Sequence, residues 1–551
     1  MIKIINSSQS QALDELSINR EKNFDTLINN AGKALSTHLI ENISNPFRKT
    51  FLCVAGIGSN GLDTIVCNHF LIENNIKSTL LIINPHKINY KYLNQYVSGI
   101  DEKYYQSLHD LGSLYNSIVI KYCGTESDPF NPSKTKPHKV TRDEIELIED
   151  IASYDYIIDG IFGTGLSRDI HGVYLDAINK IKGHRNIISV DIPSGIYTDS
   201  GKSANVHIQA KETISFTRPK IAHFLGEGYA STGNLYLYPI GHSDSVLEDI
   251  DFDFKIQTQL VEKIDVANKI YPIDNNSNKY SGSKAMLLCG SKKYTGALYL
   301  SSTAAMRAGA KILRKIVPSS LLSISSNDIE SIDIPIQDKD RGYLVVDNYE
   351  DIIKELVWSN VLLIGPGLDE NEKSTLLLAK ILKQYTGTCI LDATAFSPLI
   401  DTDLDIDELP ENCILTPHYG EFLRILGISS SEFHDNTIEI LDDFSTELSG
   451  RILVLKGPNT IVLDGQGSKY FITNGNPLLS TAGTGDVLSG IILAYVSSGY
   501  SLLNSAIIGT YIHSSCSEHL YKKGYDNIIA SDLIPIIPKM QSKLREYQNE
   551  F

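Results

Sequence analysis

Residues 474–495 read NGNPLLSTAGTGDVLSGIILAY. Gly483 and Gly485 stand directly ahead of an apolar run that begins at Val487, the composition of a backbone turn opening into a buried helix. A helix start gathers unpaired amides at the positive end of the peptide dipoles, so it favours an anion such as phosphate. Asp486 is then placed to take a proton from a hydroxyl that attacks a phosphoryl group held by those amides. The plainer reading of the same residues is a glycine-rich helix start with an aspartate in its first turn.

The strings on either side settle the fold class. FLCVAGIG (51–58), STLLIIN (78–84), YDYIIDGIFG (154–163) and NIISVDIPSG (186–195) are short β-branched runs closed by Gly, Pro or Asp and separated by helix-like mixtures. A second series repeats the rhythm: KAMLLCGS (284–291), NVLLIGPGL (360–368), GTCILDATAF (387–396), NCILTPHYGEF (412–422) and RILVLKGPNTIVLD (451–464). Both predict parallel strands with crossover helices, an α/β class whose ligands bind beyond the carboxyl ends of the strands. The polar, acidic stretch 241–266 is expected to join the two series, with a boundary between about Ile240 and Asp265, giving domains 1–240 and 265–551. The segment NPSKTKPHKVTRDE after Phe130 reads as a surface loop without chemistry.

The chain has 551 residues, more than one hydrophobic core supports, so at least two domains are expected. Lys and Arg number 49 against 66 Asp and Glu, a formal charge of -17, which argues against a sequence-blind grip on nucleic acid or an anionic membrane. Seven scattered cysteines, mostly inside apolar runs, fit reduced core thiols and a cytoplasmic location better than disulfides or zinc. The first residues lack a secretory pattern and no later run nears the ~18 apolar residues of a membrane span, so a soluble, unprocessed chain is expected.

In the second series Lys456, Gly365 and Gly367, and His418 with Glu421 all stand just after strands. Each has an ordinary explanation, as a solvated lysine, a plain turn or a helix-start charge. Their joint occurrence suits one anionic ligand. The strings NKYSGSKAMLLCGSKKYTGALYLSSTAAMRAGA, IGPGL, LTPHYGEF, LKGPNT and NGNPLLSTAGTGDVLSG resemble the ADP- or ATP-dependent NAD(P)H-hydrate dehydratases, from about Lys279 onward. That resemblance implies a ribokinase-like α/β domain, a lyase that removes water from hydrated NADH and NADPH (NADHX and NADPHX) at the expense of ADP or ATP with Mg²⁺, the fused arrangement leaning toward ADP. It assigns Lys456, Gly457, Pro458, Asn459, Thr460 and Gly485 to the nucleotide, and Ala305, Gly367, His418 and Asp486 to the substrate, with Asp486 as the base. Where that family reads Asp-Ala-Asp, this chain has LDATAF, with Thr394 after Asp392.

In the first series Asp159 and Asp191 end strands, where acids often merely form turns; together they would make an acidic pocket that a monovalent cation relieves. The string from Asp191 to Gly241, with FGTGL and LDELSINREKNFDTLINNAGKAL, is similar to the NAD(P)H-hydrate epimerases over residues 1 to 240. This implies an amino-terminal Rossmann-like three-layer domain, an isomerase that interconverts the R and S hydrates. It assigns K⁺ to Asn60, Asp159 and Ser194. Substrate contacts fall on Ser59, Asn60, Gly61, Leu62 and Asp63, on Gly163, Thr164, Gly165, Leu166, Ser167, Arg168 and Asp169, and on Asp191. The family loop Asn-Asn-Gly-Gly-Asp-Gly appears here as SNGLDT, so Leu62 and Thr64 would strain the loop if their positions demand positive φ. The expected whole is a cytoplasmic, homo-oligomeric, bifunctional repair enzyme without nucleic-acid or membrane partners. Two alternatives stay open: a ribokinase-type small-molecule kinase, and an amino-terminal half that only binds.

Overall fold

A computed structural model describes residues 1–20, 23–83, 117–122, 151–273, 275–278, 281–325 and 328–550. The polar loop expected after Phe130 lies outside the described residues, as does Cys123. The chain forms two compact units, Lys3–Ile256 and Gln257–Phe551, the latter joined by Met1–Ile2. Strands are numbered along the chain, β1 being the short Ile2–Lys3.

The amino-terminal unit is built on seven strands: β2 (Thr50–Ala55), β3 (Lys77–Ile83), β4 (Ser117–Tyr122), β5 (Tyr156–Gly160), β6 (Ile187–Val190), β7 (Glu212–Phe216) and β8 (Asn234–Tyr238). Their order is β4-β3-β2-β5-β6-β7-β8, parallel throughout except for the antiparallel pair β3–β4. Alternate side chains of β2 explain the three layers. Phe51, Cys53 and Ala55 pack with Leu35 and Leu39 of helix Phe24–Asn42 and Ile65 of helix Ser59–Glu73. Leu52 and Val54 pack on the other face with Ile178 and Ile181 of helix Val173–Ile181. A strand covered on both faces reads as a continuous apolar run, which is how FLCVA looks. The stretch expected as a join is not featureless: helix Asp244–Asp253 buries Val246 and Ile250 against Ile5, Leu13 and Ile256, so the first unit continues past Ile240.

The carboxyl-terminal unit carries β9 (Thr258–Leu260), β10 (Ala285–Leu288), β11 (Leu313–Pro318), β12 (Ile332–Ile336), β13 (Val361–Ile364), β14 (Thr388–Leu391), β15 (Cys413–Leu415), β16 (Ile452–Leu455), β17 (Thr460–Asp464) and β18 (Lys469–Ile472). The sheet runs β1-β9-β18-β17-β16-β15-β14-β13-β10-β11-β12, and the seven strands from β16 to β12 are mutually parallel. Hairpin β16–β17–β18 is antiparallel. Leu287, Leu363, Ile390, Ile414 and Val454 line one face, against Ile491 and Ala494 of helix Thr484–Ser497 and Ile507 and Ile512 of helix Leu502–Lys522. Helix Thr484–Ser497 is apolar nearly all round because it is enclosed by sheet and neighbouring helices.

The fold is the α/β pair that the two series of strands predict. Cys53, Cys67, Cys289, Cys389, Cys413 and Cys516 are buried free thiols. Among the described residues no helix is long and apolar enough to cross a membrane.

Candidate functional site

In the carboxyl-terminal unit, four neighbouring parallel strands each deliver a group at the same edge. Gly365 and Gly367 follow β13, Asp392 follows β14, His418 follows β15 and Lys456 follows β16. Gly365 has φ +120°, and a Cβ there would lie 1.8 Å from the Asp392 carbonyl oxygen, so only glycine lets the two strand ends close. Lys456 Nζ donates to Asp392 Oδ1 at 2.6 Å, and Ser489 Oγ, one turn into helix Thr484–Ser497, donates to Asp392 Oδ2 at 2.6 Å. Burial works against the Lys456 charge, but the carboxylates of Asp392 and Glu421 outweigh it and raise its pKa.

Gly483, at φ +90°, caps that helix, and Gly485 faces Lys456: a Cβ on it would meet only the ammonium, 3.5 Å away. Asp486 lies in the first turn, where burial, helped by the Asp392 charge and opposed by Lys456, pushes its carboxyl up to about 7. The turn Lys456–Asn459 leads into β17, and Gly457 is covered by the half-buried Tyr419 ring, 2.3 Å from where a Cβ would stand. His418 and Glu421 form a capping box on helix Tyr419–Leu426: the His418 amide donates to Glu421 Oε2 at 2.8 Å and the Glu421 amide to His418 Nδ1 at 3.3 Å. The ordinary explanation of Glu421 therefore holds, without removing it from the site. A cavity of about 440 Å³ opens beside these residues, lined by Glu370, Thr375, Thr394, Ser397, Glu421 and Arg424 among others. Thr394 Oγ1 donates to the Leu368 carbonyl at 3.1 Å, so the residue at the missing acid's position is tied to the backbone.

One expected contact fails. Ala305 is fully buried in the core against helix Thr484–Ser497, so its side chain is not offered to a ligand. Ser489, a hydroxyl three residues beyond Asp486, and Asp392, which it shares with Lys456, join the site without a role that strand-end spacing gives them.

In the amino-terminal unit the acids also stand at strand ends. Asp159, fully buried at the penultimate position of β5, accepts from the Ser194 amide at 2.9 Å, Ser194 Oγ at 2.6 Å and Ser189 Oγ at 2.8 Å. Burial raises its pKa despite these bonds. Asn60 Nδ2 donates to the Val190 carbonyl at 2.5 Å and the Phe162 carbonyl at 3.2 Å, and Phe162 N donates to Ser194 Oγ at 2.9 Å. Asn60, Asp159 and Ser194 thus gather at one point, all with oxygen donors and with no cationic side chain paired to Asp159 among the described residues. That donor chemistry fits K⁺.

SNGLDT is not a loop. It opens helix Ser59–Glu73, capped by Gly58, and neither Leu62 nor Thr64 has positive φ. Leu62 packs on the apolar cluster and Thr64 Oγ1 donates to the Asn60 carbonyl at 2.8 Å, so the expected strain is absent. An inner cavity of about 90 Å³ is lined by Ser59, Asn60, Asp63, Thr164, Asp191 and Lys220, with Asp14 and His242 on its wall. An outer cavity of about 870 Å³ shares Ser59, Asn60 and Thr164 with it and continues along Gly163–Ser167. Arg168 and Asp169 are exposed and line neither, although Tyr197 on the outer cavity's wall donates to Asp169 Oδ1 at 3.4 Å.

A family model described as NAD(P)H-hydrate dehydratase matches residues 285–539, and one described as YjeF-related protein N-terminus matches residues 25–222. The chain is 30% identical over 549 residues to the Bifunctional NAD(P)H-hydrate repair enzyme Nnr of Dictyoglomus turgidum, covering 98% of each. It is 27% identical over 533 residues to the protein of the same name from Thermofilum pendens, covering 95% of this chain and 93% of that one. Among solved structures, the ADP/ATP-dependent NAD(P)H-hydrate dehydratase of Bacillus subtilis, co-crystallized with ATP/Mg²⁺, is 24% identical with a TM-score of 0.44, covering 52% of this chain and 98% of that one.

Proposed function

The chain belongs to the bifunctional NAD(P)H-hydrate repair enzymes, and from that premise we propose how its two units share the work. It is an epimerase and a dehydratase in one polypeptide. The amino-terminal unit interconverts the R and S hydrates of NADH and NADPH, and the carboxyl-terminal unit dehydrates the S form with ADP or ATP.

The observation that carries the dehydratase assignment is Asp486, held near neutrality at the start of a glycine-capped helix beside Lys456 and Asp392. The hydroxyl of the hydrate is a poor leaving group until it is phosphorylated. Asp486 takes its proton as it attacks the terminal phosphoryl group of the nucleotide, and the amides around Gly485 and the Lys456 ammonium hold the charge that develops. Loss of phosphate and of a proton from the adjacent carbon then restores the ring double bond. Asp392 keeps Lys456 aimed at the Gly485 turn, and Gly457 to Thr460 frame the nucleotide. Mg²⁺, when bound, neutralises phosphate oxygens, and the chain offers it Asp392, Glu421 and the Thr394 hydroxyl.

In the amino-terminal unit, the inner cavity takes the hydrated ring and the outer cavity the remainder of the dinucleotide along Gly163–Ser167. K⁺, when bound, keeps the Asp159 carboxylate ionised, with Asn60 and Ser194 as its other ligands. The deciding experiment incubates the protein with mixed R and S hydrates and follows reduced-nicotinamide absorbance. Complete conversion with nucleotide is expected. Conversion that stops at the S fraction would remove the epimerase assignment, and phosphorylated hydrate that accumulates without absorbance would remove the dehydratase assignment.

A further inference from the structure

Lys220 is a lysine with almost no surface. It is 2% exposed, and its ammonium donates to Asp191 Oδ1 at 2.5 Å, Ser215 Oγ at 3.1 Å and the Phe216 carbonyl at 3.3 Å. An ammonium has three protons, and all three are spent on the protein. Such burial is costly unless it holds something that matters. What it holds is Asp191, which is clamped from every side: its backbone sits at φ +62°, its amide donates to the Ile214 carbonyl at 2.7 Å, and its carbonyl meets His223 Nε2 at 2.7 Å. Ser215 Oγ also donates to Oδ1, at 2.7 Å. Strained backbone persists where its surroundings over-determine it, and such positions cluster at functional sites.

The bonds from Lys220 and Ser215 both fall on Oδ1, leaving Oδ2 outside the described hydrogen bonds. Asp191 and Lys220 line the inner cavity together with Asp63, whose Oδ1 is buried without a partner, and with the pair His242–Asp14 at 3.1 Å. The charged and titratable groups around Asp191 are therefore Lys220, His223, Asp63, Asp14 and His242. Burial alone would raise the Asp191 carboxyl, but the Lys220 charge overrides it and holds it low.

We propose that Lys220 is the positioning residue of the epimerisation, fixing the Asp191 carboxylate so that Oδ2 carries a proton between the hydroxyl oxygen and the ring nitrogen of the hydrate. The inference rests on the epimerase reading of this unit. The epimeric carbon bears both the hydroxyl and the ring nitrogen. Oδ2 takes the hydroxyl proton, the carbon–nitrogen bond breaks with its electron pair on nitrogen, and Oδ2 returns the proton to that nitrogen. The open-chain carbonyl rotates and the steps reverse on its other face, so atoms and electrons balance without a co-reactant.

The test uses the full chain without nucleotide, pure R hydrate, and chromatographic separation of the epimers. Lys220→Met is expected to lower kcat about 100-fold while KM stays within about threefold, since the lost group touches Asp191 and not substrate. Lys220→Ala is expected to regain about tenfold on addition of ethylammonium, a response that a merely structural lysine does not give. A calorimetric melting transition of the amino-terminal unit that matches the parent reports that the mutated unit is folded, since dehydration of the S hydrate is done by the other unit. Lys220→Met with near-normal kcat, a loss confined to KM, or an amine-insensitive Lys220→Ala overturns the proposal. An unmodified chain that does not epimerise the R hydrate overturns the reading beneath it, a failure visible before any variant is made.

Discussion

Replacing Asp486 by asparagine separates its charge from its shape. The carboxyl moves from an ordinary 3.8 to about 7 in the folded chain. That rise of about 3 units, at about 1.4 kcal/mol each, amounts to about 4 kcal/mol of extra cost for the charged form. Because the folded-state value is the higher one, the folded chain keeps a proton that the unfolded chain has lost across this interval. Stability therefore falls as pH rises from about 4 to about 7 and is lowest above it. Asp486→Asn should match the parent in denaturant midpoint near pH 4 and exceed it by a few kcal/mol in the carboxyl-terminal unit at about pH 8. Catalysis should move the opposite way. As a base, Asp486 works only when ionised, so turnover of S hydrate at saturating nucleotide should fall about tenfold from its plateau one pH unit below the pKa, and the asparagine variant should lose about 1,000-fold at every pH. Nucleotide affinity by calorimetry should stay within a few-fold. A rate that is flat from pH 5.5 to 8, or a stability gap that does not grow with pH, would refute the assignment.

Lys456→Ala should raise the nucleotide KM more than it lowers kcat, and should cost about 3–5 kcal/mol of stability because Asp392 keeps only Ser489 as a partner; an unchanged KM would return Lys456 to a structural role. Leu62→Gly with Thr64→Gly, which would relieve a strained loop, should instead leave epimerisation no faster and destabilise the unit by more than the ~1 kcal/mol per glycine of helix propensity, since both positions are helical and both side chains are packed; a faster variant would contradict the helix. Asp159→Ala should abolish epimerisation and its K⁺ dependence, measured with pure R hydrate. Thr394→Asp places a carboxylate against the Leu368 carbonyl, so it should destabilise the chain by about 2 kcal/mol in a chelator and less in Mg²⁺; equal melting in both would deny Mg²⁺ that position.

The sheet edges were readable because strand-end Gly, Asp and Lys fall at intervals that a parallel α/β topology explains, and Lys456 and His418 stand where those intervals put them, while Asp486 stands in the first turn of the helix that the glycine-rich start announces. Packing decided what spacing did not. Ala305 matches a motif, yet its side chain is spent in the core, beside the place where Gly490 of one helix meets Ser301 and Ala304 of the other. SNGLDT looked like a loop because it carries Gly61 and Asp63 at its centre, while the helix that absorbs it is set by Gly58 ahead of it and the apolar run behind. Lys220, in RPKIAH, carried no signal of burial, since a lysine is ordinarily solvated and its partner Asp191 lies 29 positions away.

Four adjacent strands present Gly365, Asp392, His418 and Lys456 at one edge, and neighbouring strands stand about 4.8 Å apart, so the row is about 14 Å long whatever the chain does between its members. The sheet acts as a ruler. Insertions between the strands, even large ones, leave the graduations where they are, while a single added residue inside β14 or β16 advances the group at its end by about 3.3 Å and turns it to the opposite face. Tolerance to insertion along this unit should therefore be a step function of position, permissive in the crossovers and closed within a strand, with the boundary marking each graduation to within a residue.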